Sequence, residues 1–139
     1  MQYAIRRTLA EDNMPVNLTW NLKGLDSCFH GICYEREVMD VFEAMSSNPN
    51  AEKMRYALLD YRGVTEYRAT QTHVEDLVAL DIGMSFYSPH LRIACVTKDP
   101  KIESIWEYFK SLHENSNRLN IFSSIEAAQA WIAEGLAGA

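Results

Sequence analysis

The order of apolar and polar residues predicts two strands at the start of the chain. Residues 3–9 form a short run of strand-like composition, and residues 11–13 supply turn chemistry. Across residues 16–22, Val, Leu, Trp and Leu alternate with Asn, Thr and Asn, which is the period of a strand with one buried face. Lys23-Gly24 closes this run. We therefore expect the two segments to pair as an N-terminal β-hairpin.

From Glu35 onward, helical and strand patterns alternate along the chain. Short apolar runs typical of buried parallel strands occur at residues 56–59, 91–97 and 119–122. Apolar residues at spacings of three and four mark four helices, which are expected to begin at Glu35, at Thr70 or Thr72, at Asp99-Pro100 and at Ser123. Residues 25–34 are assigned to no element.

The predicted order of elements is β-β-α-β-α-β-α-β-α. Such alternation implies right-handed crossover connections, so we expect an α/β fold with a mixed, mostly parallel sheet. The chain of 139 residues has the length of one domain, which we place at residues 1–134, with residues 135–139 as a frayed tail. A chain of this size buries about two-thirds of its extended surface, so it needs neither a disulfide nor a metal to fold.

Charge and cysteine content narrow the classes of partner. The net charge is −6 and no segment gathers Lys and Arg, so nucleic acid and anionic membrane surfaces are disfavoured on average, although folding could still form a local basic patch. Three cysteines in no disulfide-framework spacing favour a reducing compartment. The first nine residues lack an apolar signal core, and no apolar stretch approaches the ~20 residues that span a bilayer. We expect a cytoplasmic protein without a transmembrane segment.

Two segments resemble a known family. The segment Leu58-Leu59-Asp60-Tyr61-Arg62-Gly63-Val64-Thr65 looks like a central strand that ends in an Asp and a Gly-Val-Thr turn. Residues 120–131 are similar to a closing pattern in which Phe, Ser and a Glu-Ala pair precede a Trp. With the order of elements, these segments resemble the STAS domain (sulfate transporter and anti-sigma-factor antagonist) and its SpoIIAA-like relatives. The resemblance implies that fold and a regulatory, protein-binding role.

The same resemblance bears on phosphorylation. In the anti-sigma-factor antagonists the turn leads into Asp-Ser-Ser-Gly, whose first Ser is phosphorylated by a partner kinase. That motif falls here on Arg68-Ala69-Thr70-Gln71, with Ala69 at the acceptor position, so the usual phosphoacceptor Ser is absent. Thr70 keeps a hydroxyl at a helix N-terminus and is the candidate phosphoacceptor. An N-cap role alone also explains Thr70.

The segment after the central strand is the predicted partner-binding loop. Loops at the carboxyl ends of parallel strands commonly carry ligand sites, and Tyr and Arg are enriched in binding hot spots. The alternative that Tyr61 and Tyr67 merely pack over helix ends stays open. The predicted partner-binding residues are Asp60, Tyr61, Arg62, Gly63, Thr65, Tyr67, Arg68 and Thr70.

Catalytic and metal chemistry find little support in the chain. Cys28, His30 and Cys33 bring soft ligands together, but no second ligand pair follows them, so we expect no metal and no cofactor. The chain lacks a Gly-x-Gly-x-x-Gly segment and a phosphate-binding Gly-Lys-Ser/Thr. We therefore predict a non-enzymatic protein. A thiol-dependent enzyme or redox sensor at Cys28 and Cys33 is the third hypothesis.

The main alternative function is a carrier for a small molecule or lipid. The Met84-Ser85-Phe86-Tyr87 stretch and the third helix offer apolar surface for a pocket, although a protein core explains them equally well. Neither the partner, the ligand nor a homodimer is specified by the sequence.

Overall fold

The computed structural model describes residues 2–9 and 14–138, which form one six-stranded sheet and four α-helices. The strands are β1 (Gln2–Leu9), β2 (Met14–Asn21), β3 (Gly24–Tyr34), β4 (Tyr56–Arg68), β5 (Arg92–Val96) and β6 (Leu119–Phe122). The helices are α1 (Glu35–Ser46), α2 (Gln71–Ser85), α3 (Pro100–Leu112) and α4 (Ile125–Gly138). The predicted turn at residues 11–13 lies outside the described residues. Helix α4 continues to Gly138, through the segment that the pattern assigned to a frayed tail.

The sheet confirms the predicted fold class. The strand order is β1-β2-β3-β4-β5-β6, with antiparallel pairing of β1 with β2 and of β2 with β3. The pairs β3–β4, β4–β5 and β5–β6 are parallel and are connected through α1, α2 and α3. We call the end at which β3 to β6 begin the amino edge, and the end at which they finish the carboxyl edge.

Strand β3 was missed in the sequence analysis. It contains Cys28, His30 and Cys33, which the pattern left outside any element. A polar residue at a core position hides its alternation: Ser27 is buried and donates from Oγ to the carbonyl of Leu58 at 2.8 Å. A period-two pattern cannot be recognised when an inward position is a serine whose hydroxyl is satisfied by a neighbouring strand.

The second half of β4 was predicted as a loop, and that prediction is wrong. The strand runs to Arg68 and contains two β-bulges: Cys28 pairs with Asp60 but His30 with Gly63, and the register then shifts again before Ile32. Each bulge adds one residue to β4 and reverses which face the following side chains occupy. Turn-like composition therefore marks a bulged strand here.

Helices cover the two faces of the sheet unequally. Helices α1, α2 and α3 pack on one face and build the main core, which includes Phe29, Phe42, Leu59 and Trp106. Helix α4 lies on the opposite face, where Ala128 and Ile132 pack on β4 and β5 in a smaller cluster. In the part of the chain that the structure describes, no helix covers the α4 side of β2 and β3.

A buried ionic cluster joins the connections at the amino edge. Asp81 of α2 accepts hydrogen bonds from His113 Nε2 and Arg118 Nε, both at 2.8 Å, and all three side chains are almost wholly buried. Arg118 also donates from Nη1 to the carbonyl of Ser88 at 2.7 Å. The cluster ties the ends of α2 and α3 to the segment that begins β6.

Candidate functional site

Two of the predicted partner-binding residues lie in the core. Tyr61 is 1% exposed and Tyr67 is 8% exposed. Their rings form a stack with Phe29, with centroids 4.9 Å apart for Phe29–Tyr61 and 5.5 Å for Tyr61–Tyr67. Burial raises the pKa of both phenols. Tyr61 continues the inward alternation of Ala57 and Leu59, and β4 brings Tyr67 back to the same core, so neither ring is available to a partner.

Arg62 and Asp60 form an ion pair at the opposite face of β4. Arg62 Nη2 lies 2.8 Å and Nε 3.0 Å from carboxylate oxygens of Asp60, and the Arg62 side chain is 53% exposed. Burial alone would raise the pKa of Asp60, but hydrogen bonds from the side chain and backbone of Arg62 lower it. Asp60 therefore stays ionised and holds the guanidinium of Arg62 in one orientation at the surface.

His30, Asn17 and Cys28 continue this polar surface across β3 and β2. Gly63 makes room for the His30 ring, since a Cβ at Gly63 would lie 2.9 Å from His30 Nδ1. Asn17 Nδ2 lies 3.4 Å from His30 Nε2, and Asn17 pairs with Cys28 across the strands. These side chains define an open sheet face beside α4.

The geometry does not favour a thiol-dependent enzyme or redox sensor at Cys28 and Cys33. Cys28 and Cys33 lie on opposite faces of β3: Cys33 is in the core, whereas Cys28 donates from Sγ to Asp60 at 3.7 Å. Burial and the charge of Asp60 raise the pKa of Cys28, so its thiol stays protonated and is a weak nucleophile. Within the described residues, no group of three His, Cys, Asp or Glu side chains is placed to hold a metal.

Thr70 begins α2 and is already engaged on both sides. Its Oγ1 accepts from the backbone N–H of His73 at 3.1 Å, which is an N-cap, and its own N–H donates to Glu35 at 2.5 Å. Arg68 donates to Glu66 and lies over the ring of Tyr34. A phosphate on Thr70 would break the cap and face the Glu35 carboxylate, so this geometry favours the N-cap role.

An apolar groove opens beside Thr70, between the N-terminal turns of α2 and α3. It has a volume of about 360 Å³ and is lined by Ala69, Thr70, Gln71, Val74, Ser104, Ile105 and Tyr108. Its rim is held by a hydrogen-bond chain in which Gln71 Nε2 donates to Tyr108 Oη at 2.9 Å, and Tyr108 donates to Glu75 at 3.0 Å. We call it the α2/α3 groove. Sequence analysis missed it, because its residues belong to helical stripes and only the spacing of two helices creates it.

A second groove lies on the other side of Thr70, between α1 and α2. Its volume is about 410 Å³, and four acidic side chains and one basic side chain line it: Glu35, Asp40, Glu43, Asp76 and Arg36. His73 also lines it, and its Nε2 lies 2.7 Å from Tyr67 Oη. Thr70 therefore stands between an apolar and an acidic groove.

The stretch proposed for a carrier pocket is divided between two environments. Met84 lies in the core, whereas Phe86 is 84% exposed. Tyr87 donates from its hydroxyl to the carbonyl of Ser46 at 3.3 Å. Met84 and Phe86 therefore face different surroundings, the core and the solvent. The carrier function itself stays a prediction.

Comparison with known proteins adds a likeness in fold. Neither a protein-family model nor a curated protein sequence matches the chain. The structure is similar to that of an uncharacterised DUF3478-family protein with a SpoIIAA-like fold from Shewanella loihica PV-4. The sequences are 9% identical, the match covers 95% of each chain, and the TM-score is 0.44. That description names the fold which the sequence motifs resemble, but likeness of this degree says nothing about function.

Within residues 2–9 and 14–138, no helix combines the length and apolar character that crossing a membrane requires.

Proposed function

We propose that this protein is a non-enzymatic regulatory or scaffold module that binds a protein partner at its carboxyl edge. The observation that carries the proposal is the α2/α3 groove, an accessible apolar surface with a polar rim held by the Gln71–Tyr108–Glu75 chain. Protein interfaces combine an apolar anchor with such a polar rim. An apolar side chain of the partner would enter the groove, and polar groups of the partner would meet the rim.

A partner that reaches round the carboxyl edge would also meet exposed residues of β4, of which Arg62 projects on the α4 side of the sheet, opposite the groove. Arg62, Gly63, Thr65 and Arg68 are all exposed, and Thr70 joins them to the groove. Asp60 would contribute by orienting Arg62 rather than by contact, because it is 7% exposed. Tyr61 and Tyr67 are not included, since both are buried.

The non-enzymatic assignment is supported by the state of Cys28. Its raised pKa keeps the thiol protonated at neutral pH, which works against nucleophilic or redox chemistry at this residue. Cys28, Cys33 and Cys95 are all free thiols. We place the protein in a reducing compartment such as the cytoplasm on this basis.

Two serines on α3 provide a matched test of the groove. Ser104 and Ser111 are exposed, stand seven positions apart on one side of the helix, and each donates to a carbonyl of its own helix. Only Ser104 lines the groove. We expect Ser104→Arg to fill the groove and Ser111→Arg to leave it open.

The measurement is quantitative capture of partners from the native host with wild type and both variants as bait. A photo-crosslinking amino acid at Gln71 supplies the covalent evidence for the contact. The proposal predicts a crosslinked protein that Ser111→Arg retains and Ser104→Arg loses by at least about tenfold, the effect expected of blocking a hot spot. Equal capture by both variants would show that the groove is not the contact surface.

The carrier alternative has one observation in its favour. A volume of about 360 Å³ falls in the range of small-ligand pockets. Native mass spectrometry of protein from its own host separates the two functions: a bound small mass that denaturation releases, and that Ser104→Arg abolishes, would favour a carrier.

A further inference from the structure

The exposed large apolar side chains gather at the amino edge. Among residues 16–115 and 117–137, whose side chains the structure describes, five such residues are exposed: Leu22, Phe86, Tyr87, Leu112 and Leu136. Leu22 lies in the turn that begins β3, Phe86 and Tyr87 follow α2, and the two other leucines lie in the last turns of α3 and α4. Because each helix returns the chain to the start of the sheet, the helix C-termini all lie at this edge. Two side chains stand out: Phe86 is 84% exposed and Leu22 is 68% exposed.

Basic residues form a row along the same edge. The N–H of Arg55 donates to the carbonyl of Lys23 at 2.6 Å, and the N–H of Arg92 donates to the carbonyl of Arg55 at 2.9 Å. These hydrogen bonds place Lys23 and Arg55 next to each other just before β3 and β4, whereas Arg92 is in register with Tyr56 and turns to the α4 side. Lys53 lies just before β4, and both lysines are exposed.

The charge of this row differs from that of the whole chain. Arg92 donates to the carbonyl of Trp131, lies over its ring and is 4.0 Å from Glu134. Because Glu134 compensates the charge of Arg92, the net positive charge of the row comes from its other basic residues.

Close to the Leu22 turn, Lys23, Lys53 and Arg55 are accompanied by one acid of the same edge segments, Glu52. Arg55 Nη1 donates to the carbonyls of Glu52 and Met54, which leaves Lys23 and Lys53 as the exposed cations. Glu114 and Glu134 lie further along the edge, so the positive excess is confined to the part around Leu22. The chain as a whole carries −6. The fold has therefore produced the local basic patch that an acidic composition does not suggest.

We propose that the amino edge docks on the surface of an anionic phospholipid bilayer. Phe86 and Leu22 enter the boundary between headgroups and acyl chains, and Lys23, Lys53 and Arg55 meet the anionic headgroups. The α2/α3 groove, at the opposite edge, then faces away from the membrane. This inference does not depend on the proposed function, since the two surfaces share no residue.

A bilayer fits this edge better than a protein partner does. The two most exposed apolar side chains come from separate segments, Leu22 from the turn before β3 and Phe86 from the end of α2. A protein interface needs a contiguous apolar centre that a partner can desolvate. A lipid surface accepts separate apolar side chains, because each gains from burial on its own. Aromatic and basic residues are also the side chains that favour the membrane–water boundary.

The test is co-sedimentation of the full chain with two kinds of vesicle. One is phosphatidylcholine alone, and the other is equal parts of phosphatidylserine and phosphatidylcholine. We expect binding to the anionic vesicles that weakens as salt is added, and at least about tenfold weaker binding to phosphatidylcholine. Failure to bind the anionic vesicles at low salt would overturn the proposal.

Charge reversals at the two edges supply the matched control. Lys23→Glu changes the amino edge, whereas Lys101→Glu makes the same change at the exposed start of α3 on the carboxyl edge. We expect Lys23→Glu to weaken vesicle binding by about tenfold or more and Lys101→Glu to leave it within about twofold. Equal losses would show that only overall charge matters, and would overturn a specific docking edge.

Phe86→Ser tests the apolar contribution. We expect about tenfold weaker vesicle binding with an unchanged midpoint of thermal unfolding, because this side chain is 84% exposed in the folded protein. Analytical ultracentrifugation of wild type and variant checks for self-association. A dimer that Phe86→Ser dissociates would assign the edge to a second copy of the chain and overturn membrane docking.

Discussion

Removing the guanidinium of Arg118 should destabilise the protein severely. Arg118→Met takes away the hydrogen bond to Asp81 and the one to the carbonyl of Ser88. The carboxylate of Asp81 is 0% exposed and would keep only His113 as a partner. His113 Nδ1 accepts from the N–H of Asn115 at 3.0 Å, so Nε2 is the atom that donates to Asp81. This single hydrogen bond does not make up for the two that the guanidinium supplies to Asp81 and Ser88.

The expected cost is about 3–5 kcal/mol of the free energy of unfolding, the usual effect of leaving one member of a buried ion pair uncompensated. Domains of this size have about 5–15 kcal/mol in total, so the variant should fold only marginally. Arg62→Met is the matched control, because its ion pair with Asp60 is at the surface and the Arg62 side chain is 53% exposed. We expect a smaller loss than for Arg118→Met, because Asp60 keeps the backbone N–H at position 62 and the Cys28 thiol as donors.

Urea unfolding followed by circular dichroism measures both variants, with the slope against urea checked for constancy. The double variant Asp81→Leu, Arg118→Met should be more stable than Arg118→Met alone, because it removes the buried charge together with its partner. A loss below about 1 kcal/mol for Arg118→Met would refute the reasoning, because it would mean that the carboxylate of Asp81 is not a desolvated charge that depends on Arg118. So would a double variant less stable than the single one.

Three further predictions concern stability and reactivity. Burial lowers the pKa of His73 from its usual value of 6.5, so below about pH 6.5 the unfolded chain binds more protons than the folded protein. The free energy of unfolding should therefore fall as the pH drops below about 6.5. Urea titrations from pH 8 to pH 5 should show a smaller fall for His73→Asn than for the wild type. Gly63→Ala should lower the free energy of unfolding by about 1–3 kcal/mol, because its Cβ would lie 2.9 Å from His30 Nδ1. Gly83→Ala should raise it by up to about 1 kcal/mol, because a Cβ at this position in α2 meets open space. Equal unfolding midpoints for the two variants would contradict this prediction. Burial raises the pKa of the Cys33 thiol, so alkylation measured by intact mass should modify it only in denaturant, and rapid modification of the native protein would contradict its placement in the core.

Several elements were predictable because their signals are local. Asp99 accepts from the N–H of Lys101 at 2.9 Å and begins α3, as its side chain and the following Pro indicate. Thr70 caps α2 through its own hydroxyl. The apolar run before Asp60 forms the buried part of β4. Each depends on residues within one or two turns of the chain, which is the range over which a pattern carries information.

Residues whose environment depends on a distant strand were predicted poorly. Tyr61 and Tyr67 occupy what composition marks as a polar loop, yet both rings lie in the core, because β4 continues past Asp60 by pairing with β3. Ser27 interrupts the apolar alternation of β3, and it can occupy an inward position because its hydroxyl donates to a carbonyl 31 positions away. Both environments are set by pairing with a strand that is distant in the sequence.

The sequence by itself determined the α/β class, the four helices with the caps of α2 and α3, and the absence of a strong local charge run. The predicted start of the last helix at Ser123 is one residue early, because Ser124 Oγ accepts from the N–H of Ala127 and α4 begins at Ile125. The tertiary structure alone decided which side chains are accessible. It placed the apolar groove beside Thr70 and brought Lys23 and Arg55 together at the edge that carries Leu22 and Phe86. The physical reason is that hydrogen bonds and capping within a segment select its conformation, whereas strand pairing and helix packing between distant segments select which of its faces meets solvent.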